Sequence, residues 1–393
     1  MMALSGKALV VGAGVFGVTA ARELRERKWQ VTLVEPGPIP HPLAASTDIS
    51  KVVRLAYGSD ETYTELMEEA LEVWREWNNR WPDPLFHETG VLSLTKNPMA
   101  PGTFEYESYS VLEKRGHRPL RMSPADLRKR FPGWKAQTYV DGFYQSEGGY
   151  AESGRVVARL CELARVEGVD VRPEGTVSEL LEEGGRVAGA VTAGGMRFAA
   201  DCVVVAAGAW TPKLLPHLSE SLKATAHPIY HLRPPNRRLY GDRMFPVFTA
   251  DISNTGWYGF PMNRDGIVKI ANHDMGRVMD PDGSRAAAPE EEPALRRFLE
   301  ETFPTLAPLP IVEKRLCFYC DTKDEHFWID RDPARPGLVM AAGDSGHAFK
   351  FAPVLGRIIA DVVEDRPTPL RHRFRWRPEI HPPRGQEESR HHG

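Results

Sequence analysis

The chain's first apolar run, Ala8-Leu9-Val10-Val11, is unbroken by polar residues and stops at Gly12. A short run of this kind reads as a strand buried on both faces of a sheet. Behind it, Ala20, Ala21 and Leu24 share one face of a helix predicted over 18–28, and Val31-Thr32-Leu33-Val34 predicts a second strand that ends on Glu35. Two later blocks repeat the alternation. From about 150 to 215 the pattern predicts a helix over 154–167, a strand at 169–171, a hairpin around Glu183-Gly184-Gly185 and the buried strand Cys202-Val203-Val204-Val205-Ala206-Ala207-Gly208. From about 325 to 365 it predicts the strand Leu338-Val339-Met340-Ala341-Ala342, a stop at Gly343, and a helix from Pro353 to about Val363.

The segments between these blocks differ in character. Residues 61–149 carry an amphipathic helix marked by Leu66, Ala70, Leu71, Trp74 and Trp77, followed by what read as proline- and aromatic-rich strands. Residues 220–324 read as strands and turns with a helix at 291–302. The fold class is therefore α/β (α+β overall). A discontinuous Rossmann-like nucleotide domain, made of 1–60, 150–219 and 325–366, carries an inserted β-rich substrate domain made of 61–149 and 220–324. The tail, 367–393, is rich in Arg, Pro and His and reads as poorly ordered.

The turn after the first strand is Gly12-Ala13-Gly14-Val15-Phe16-Gly17. Gly12 permits the tight turn, Gly14 lets backbone approach a pyrophosphate, and Gly17 lets the helix pack close to the strand. The start of the helix that follows presents free N–H groups to phosphate, and Val15 and Phe16 are expected among the cofactor contacts. Glu35 lies where an acid can accept hydrogen bonds from ribose hydroxyls. A nicotinamide fold is usually completed in one run. A strand–Gly–helix near residue 340 that completes the sheet suits FAD, whose longer body reaches a second domain.

Composition narrows the class. The 393 residues are 41% hydrophobic and 26% charged, with net charge −3, so there is no basic footprint for nucleic acid. No apolar run is long enough for a membrane span. The start, Met1 to Lys7, runs straight into the first strand and leaves no room for a signal peptide. Four cysteines, Cys161, Cys202, Cys317 and Cys320, form no disulfide framework in a chain this long. A cytoplasmic protein acting on a small molecule is expected.

The stretch from Arg315 to Asp330 is dense in reactive side chains. Cys317-x-x-Cys320 could be a redox dithiol or half a zinc site. Zinc needs a second ligand pair that Cys161 and Cys202 do not supply, and a redox dithiol usually sits at a helix start. The alternation instead reads as a strand, with Leu316 and Phe318 on one face and Cys317 and Tyr319 on the other. Buried structural thiols are the plain reading, and it is the one adopted for Cys320.

At this point the chain resembles a family. Cys317-x-Tyr319-x-x-Thr322-x-Asp324-Glu325-x-Phe327-x-Ile329-Asp330, followed by Gly343-x-Ser345-Gly346-His347-x-Phe349-Lys350-Phe351-x-Pro353, is similar to the monomeric sarcosine oxidase family. That family includes N-methyltryptophan oxidase, pipecolate oxidase and the fructosyl amino acid oxidases, or amadoriases. The similarity extends through the Gly12 block, Lys51–Tyr57, Tyr258-Gly259-Phe260-Pro261 and Lys269-x-x-x-His273. It implies a monomeric FAD enzyme in which Cys317 carries the flavin through a thioether to its 8α-methyl. Arg54 and Lys350 would clamp a substrate carboxylate. Lys269 would face the flavin N5 region through water and promote reaction with O2. Lys51 joins it as a candidate catalytic cation. His273 matches an active-site histidine, a satisfied loop histidine being the other reading. Tyr258 and Tyr319 match pocket-lining aromatics, or belong to the core. Further cofactor contacts are expected from Ser46 and Thr47, from Val177, Gly208 and Trp210, and from Gly343, Asp344, Gly346, His347, Ala348 and Lys350.

The implied activity is oxidation of the C–N bond of a secondary-amine amino acid. The imine hydrolyses to a carbonyl compound and an amine, and O2 leaves as H2O2. Sarcosine oxidases have arginine where this chain has Lys51, whereas Asp48-Ile49-Ser50-Lys51 resembles the amadoriase run. Asp344 stands where sarcosine oxidases carry an aromatic, and it is expected to meet the substrate as well as the cofactor. The run Asp251 to Pro261 is also nearer the fructosyl-amine branch. These positions favour N-glycated amino acids. A sarcosine, N-methyl amino acid or pipecolate oxidase, and a flavin dehydrogenase with another acceptor, are the alternatives.

Overall fold

The computed structural model describes residues 5–173, 175–381 and 387–393. Its first layer is a six-stranded sheet in the order Trp328–Arg331, Leu338–Ala342, Cys202–Val205, Lys7–Val11, Gln30–Val34, Asp170–Arg172. All pairings are parallel except the first. Three stretches far apart in sequence thus meet in one sheet, because each carries a strand apolar on both faces. Ala8, Val10 and Val204 face a core with the helices Val15–Glu26, Ser153–Val166 and Ala352–Val363. Leu9, Val11, Val203 and Val205 face Leu180, Val187 and Ala190 of a three-stranded antiparallel sheet. The hairpin of that small sheet turns on Gly184 and Gly185, both at positive φ (60° and 76°). Two adjacent left-handed residues are what a two-residue hairpin turn demands.

The second layer is a nine-stranded sheet around an aromatic core of Phe131, Trp134, Phe245, Phe248 and Phe303. Its long strand Ile311–Thr322 pairs antiparallel with Leu222–Leu232, which sets Cys317 opposite His227 and Tyr319 opposite Thr225. Cys317 and Tyr319 share a face, and Leu316 and Phe318 share the other, as the alternation predicted. Cys320 is fully buried among the apolar side chains of the first sheet, and burial pushes its thiol pKa upward.

Two expectations fail. Residues 61–149 are not mainly strands after the first helix, Glu61–Arg80, because helices also form at Phe104–Lys114 and Pro124–Arg130. The second is started by a capping box between Ser123 and Asp126, with Pro124 at its first turn. The proline opens this helix rather than breaking a strand. The tail also departs from its composition. Arg377 holds Asp324 through two bonds, at 2.6 and 2.8 Å. Glu387, Ser389 and Arg390 are buried. Charged residues that read as solvated are ordered here because each finds an internal partner of opposite charge or a hydroxyl. Among the described residues no helix is long and apolar enough to cross a membrane.

Candidate active site

The site is two adjoining cavities. The larger, about 600 Å³, lies over the ends of the parallel strands. Its floor is backbone. A Cβ on Gly12 would sit 2.4 Å from the Ala206 carbonyl oxygen, and Gly12 has φ +100°, so only glycine fits. A Cβ on Gly17 would lie 1.8 Å from the Gly12 carbonyl oxygen. The helix Val15–Glu26 therefore begins directly above the strand end, with Gly14 as its N-cap and Val15 and Phe16 lining the cavity. The Ala13 amide donates to Glu35 Oε2 (2.5 Å), and the Val15 amide donates to Ser46 Oγ (2.9 Å). Burial raises the Glu35 pKa to about 7 against the Ala13 hydrogen bond.

Most of the expected cofactor residues line this cavity. Gly12, Gly14, Val15, Phe16, Glu35, Ser46 and Lys51 come from the first block. Val177, Gly208 and Trp210 come from the second, and Asp344, Gly346 and Ala348 from the third. Gly17 and Gly343 act one layer behind, through backbone packing. Thr47 also lies off the cavity, where its carbonyl receives Arg315. Cys317 is buried beside the junction, its Sγ 3.8 Å from Lys51 Nζ. Burial alone would lower the Lys51 pKa, but the Cys317 sulfur and the Asp48 carboxylate beside it hold it above the ordinary value.

The smaller cavity shares Lys51, Gly346 and Phe349 with the larger one. Its apolar wall is Val52, Val247, Phe248, Ile252, Tyr258 and Phe260, and its polar end is Arg54, His273, His347 and Lys350. Arg54 and Lys350 flank Tyr57. The guanidinium carbon lies 4.5 Å from the ring centroid and Lys350 Nζ 5.1 Å. Lys350 Nζ donates to Tyr57 Oη (2.8 Å) and to the His347 carbonyl (2.7 Å). His347, expected on the cofactor, and Lys350, expected on both cofactor and substrate, line this smaller cavity and not the larger one. Burial and the Arg54 charge hold the Lys350 pKa well below the usual lysine value. Burial and the Lys350 charge do the same to His347.

Three further residues stand elsewhere than expected. Lys269 lines neither cavity. It is fully buried, donating from Nζ to Asp48 Oδ2 (2.5 Å) and the Ser50 carbonyl (2.7 Å), and it lies 4.7 Å from the centre of the Phe260 ring. Burial brings its pKa down to about 8 although Asp48 opposes that shift. Asp344 faces the larger cavity only, because its two oxygens are committed to the Cys320 amide (2.8 Å) and the Gly346 amide (3.2 Å). Its proposed contact with substrate is therefore not what this geometry offers. Burial raises its pKa to about 6. Tyr319 also faces the larger cavity, stacked on His227 with centroids 3.9 Å apart. Sequence reasoning missed Glu387 and Ser389, which reach Arg54, and Asp48 as the partner of Lys269. An aspartate three residues before Lys51 was visible, but nothing in the sequence pairs it with a lysine 221 positions on.

The profile of the family described as FAD dependent oxidoreductase (DAO) matches residues 7–362. The chain belongs to that family. This FAD-dependent oxidoreductase is 29% identical over 371 residues to the monomeric sarcosine oxidase of Bacillus sp. (strain B-0618), covering 90% of this chain and 91% of the relative. It is 28% identical over 368 residues to human peroxisomal sarcosine oxidase, covering 90% and 91%. Among solved structures it is similar to Amadoriase II of Aspergillus fumigatus in complex with FSA, with TM-score 0.85, 27% identity, and 100% and 95% of the two chains covered. The backbone cradle fits the dinucleotide on its own terms, with a glycine turn at a helix start that lines the cavity, a buried acid at the end of the neighbouring strand, and the Ser46 hydroxyl at the Val15 amide.

Proposed function

We propose that this oxidoreductase oxidises the C–N bond of secondary-amine amino acids, with N-glycated (fructosyl) amino acids as its substrates and O2 as electron acceptor. The observation that carries the reading is the convergence of two buried cations, Arg54 and Lys350, on an apolar pocket that opens onto the nucleotide cradle. When bound, FAD supplies the acceptor for two electrons from the substrate and passes them to O2, giving H2O2. Its cradle residues are those of the larger cavity, and Cys317 is the residue that would tether it.

The rest belongs to the chain. Arg54 and Lys350 hold the substrate carboxylate, the arginine with a planar fork and the lysine as a point charge. An arriving anion favours the ammonium form of Lys350, so the substrate restores the charge that burial suppresses. The wall from Val52 to Phe260 excludes water and positions the amine toward Lys51. An uncharged amine is favoured there, because Lys51, held above the ordinary lysine pKa, disfavours a further cation. No side chain is then required as a base. Lys51 lines both cavities, and Lys269, held by Asp48 behind the wall, adds its positive charge to the field felt where negative charge develops on oxygen.

The lysine of Asp48-Ile49-Ser50-Lys51 and the likeness to amadoriases support a glycated substrate. A compact N-substituent is the second reading. It is favoured by the apolar wall, which offers a sugar's hydroxyls few partners, and by the identity with sarcosine oxidases. We also infer a monomer, from likeness to the monomeric sarcosine oxidases. Peroxide release from sarcosine, pipecolate, N-methyltryptophan, fructosyl-glycine, fructosyl-valine and ε-fructosyl-lysine tests the proposal. Turnover of the fructosyl compounds is expected. Silence on all six from flavin-loaded protein defeats the substrate class.

A further inference from the structure

The 387–393 segment places Ser389 in the wall of the smaller cavity and Glu387 directly against the clamp arginine. Arg54 Nη2 donates to Glu387 Oε1 (3.1 Å) and to Ser389 Oγ (2.7 Å). Ser389 Oγ lies 2.7 Å from each Glu387 oxygen, and His273 Nε2 lies 3.1 Å from Glu387 Oε2. Glu387 is 4% exposed. The flanking residues are pinned outside the pocket. Arg390 pairs with Asp321 (2.7 Å) and Glu325 (3.2 Å), Glu388 accepts the Ser59 amide (3.0 Å), and the His391 amide donates to the His273 carbonyl (2.9 Å). A buried carboxylate is costly unless it is paired, and this one is paired with the group assigned to the substrate's acid. Both terminal nitrogens of Arg54 are engaged, Nη2 by Glu387 and Ser389 and Nη1 by the Ala56 carbonyl, and two carboxylates on one guanidinium repel each other.

We propose that Glu387 is a specificity-determining residue of this site: it stands in for the substrate carboxylate on Arg54, so a ligand enters by exchanging its own anionic group for that of Glu387. The proposal rests on the reading of Arg54 and Lys350 as a carboxylate clamp. Two consequences follow from exchange. A neutral analogue cannot displace the resident anion, so the site rejects it by more than the loss of one contact. The apparent affinity for an anion is also reduced by the fraction of molecules in which Glu387 is docked. A segment docked in about 95% of molecules weakens binding about 20-fold.

The test uses the full-length holoenzyme, with acetate and acetamide as probes of the clamp. Binding is read from the flavin absorption spectrum and from hydrogen exchange of residues 387–393. In Glu387→Gln the acetate Kd is expected to fall at least tenfold, and in the wild type saturating acetate is expected to speed exchange across 387–393 while acetamide does not. An acetate Kd within twofold of wild type overturns the proposal, and so does acetate binding with exchange unchanged. If Glu387→Gln does not fold, Glu388→Ala, which frees the segment from Ser59 outside the pocket, should lower the acetate Kd by a smaller factor. No change there overturns the proposal equally. Lys350→Ala separates the two ideas. If it leaves acetate binding intact, the clamp reading fails. If it weakens acetate while Glu387→Gln changes nothing, only the role of Glu387 fails.

Discussion

The two cavities are built by different means. The nucleotide cradle is made of backbone, with glycines whose missing Cβ atoms let a strand end, a helix start and a neighbouring strand meet. The smaller cavity, proposed for the substrate, is made of side chains delivered by several distant segments, the last of them at 387–389. Backbone construction tolerates almost no substitution but varies little in what it binds. Side-chain construction can be retuned one residue at a time. The cradle should therefore fail abruptly when altered, and the pocket should fail by degrees.

The largest effect is expected in the cradle. Gly17→Val would place a side chain into the Gly12 carbonyl, already 1.8 Å from a bare Cβ. It should yield protein with almost no bound flavin, read from the absorption spectrum after purification. Normal flavin content would show that the strand–helix contact is not what shapes the cradle. The pocket comes next. Lys350→Ala should reduce kcat/KM by about 10- to 100-fold, the effect of losing one charge-assisted hydrogen bond of about 1.5–3 kcal/mol, while flavin content stays near that of wild type. A variant equally depleted of flavin would erase the distinction between the two cavities.

A smaller effect concerns the lysine behind them. Lys269 loses its charge as pH rises through about 8, so reoxidation of the reduced enzyme by O2 should slow above that pH. Asp48 raises the Lys269 pKa. Asp48→Asn should therefore move the falling limb to lower pH and slow reoxidation several-fold at pH 7, in stopped-flow traces, with less change in the rate of flavin reduction. A pH profile unchanged from wild type would detach Lys269 from oxygen chemistry. The smallest effect on substrate affinity belongs to Cys317→Ala. Its flavin should pass into the supernatant on acid precipitation, while wild-type flavin stays with the protein. Flavin released equally from both would leave Cys317 as a buried thiol.

The same contrast explains what the sequence revealed. The strands Lys7–Val11, Cys202–Val205 and Leu338–Ala342 were legible because burial on both faces leaves an unbroken apolar run. Gly12 and Gly17 were legible because a left-handed turn and a helix pressed onto the Gly12 carbonyl leave no other residue type, and Gly14 because the spacing of the three is that of a dinucleotide turn. Tyr319 and Cys317 were placed on one face by strand alternation alone. The pairing of Lys269 with Asp48 was hidden, since a salt bridge between residues 221 apart leaves no local pattern. The helix Phe104–Lys114 was missed although Phe104, Ser108, Val111 and Leu112 keep helical spacing, because its aromatics drew the reading toward strand. The tail misled most. Composition describes the average solvation of Arg, His and Glu, and it is silent when Asp321 and Asp324 wait inside the fold to neutralise Arg390 and Arg377.

The central claim is that two cations bind an amino acid's carboxylate beside the nucleotide cradle. Its most direct test is to compare kcat/KM for the best substrate of the panel and for that substrate's primary amide, in the wild type and in Lys350→Ala. The account predicts that the wild type disfavours the amide at least 100-fold and that Lys350→Ala loses most of this discrimination. Equal discrimination in both proteins, or a wild type indifferent to the amide, would contradict it.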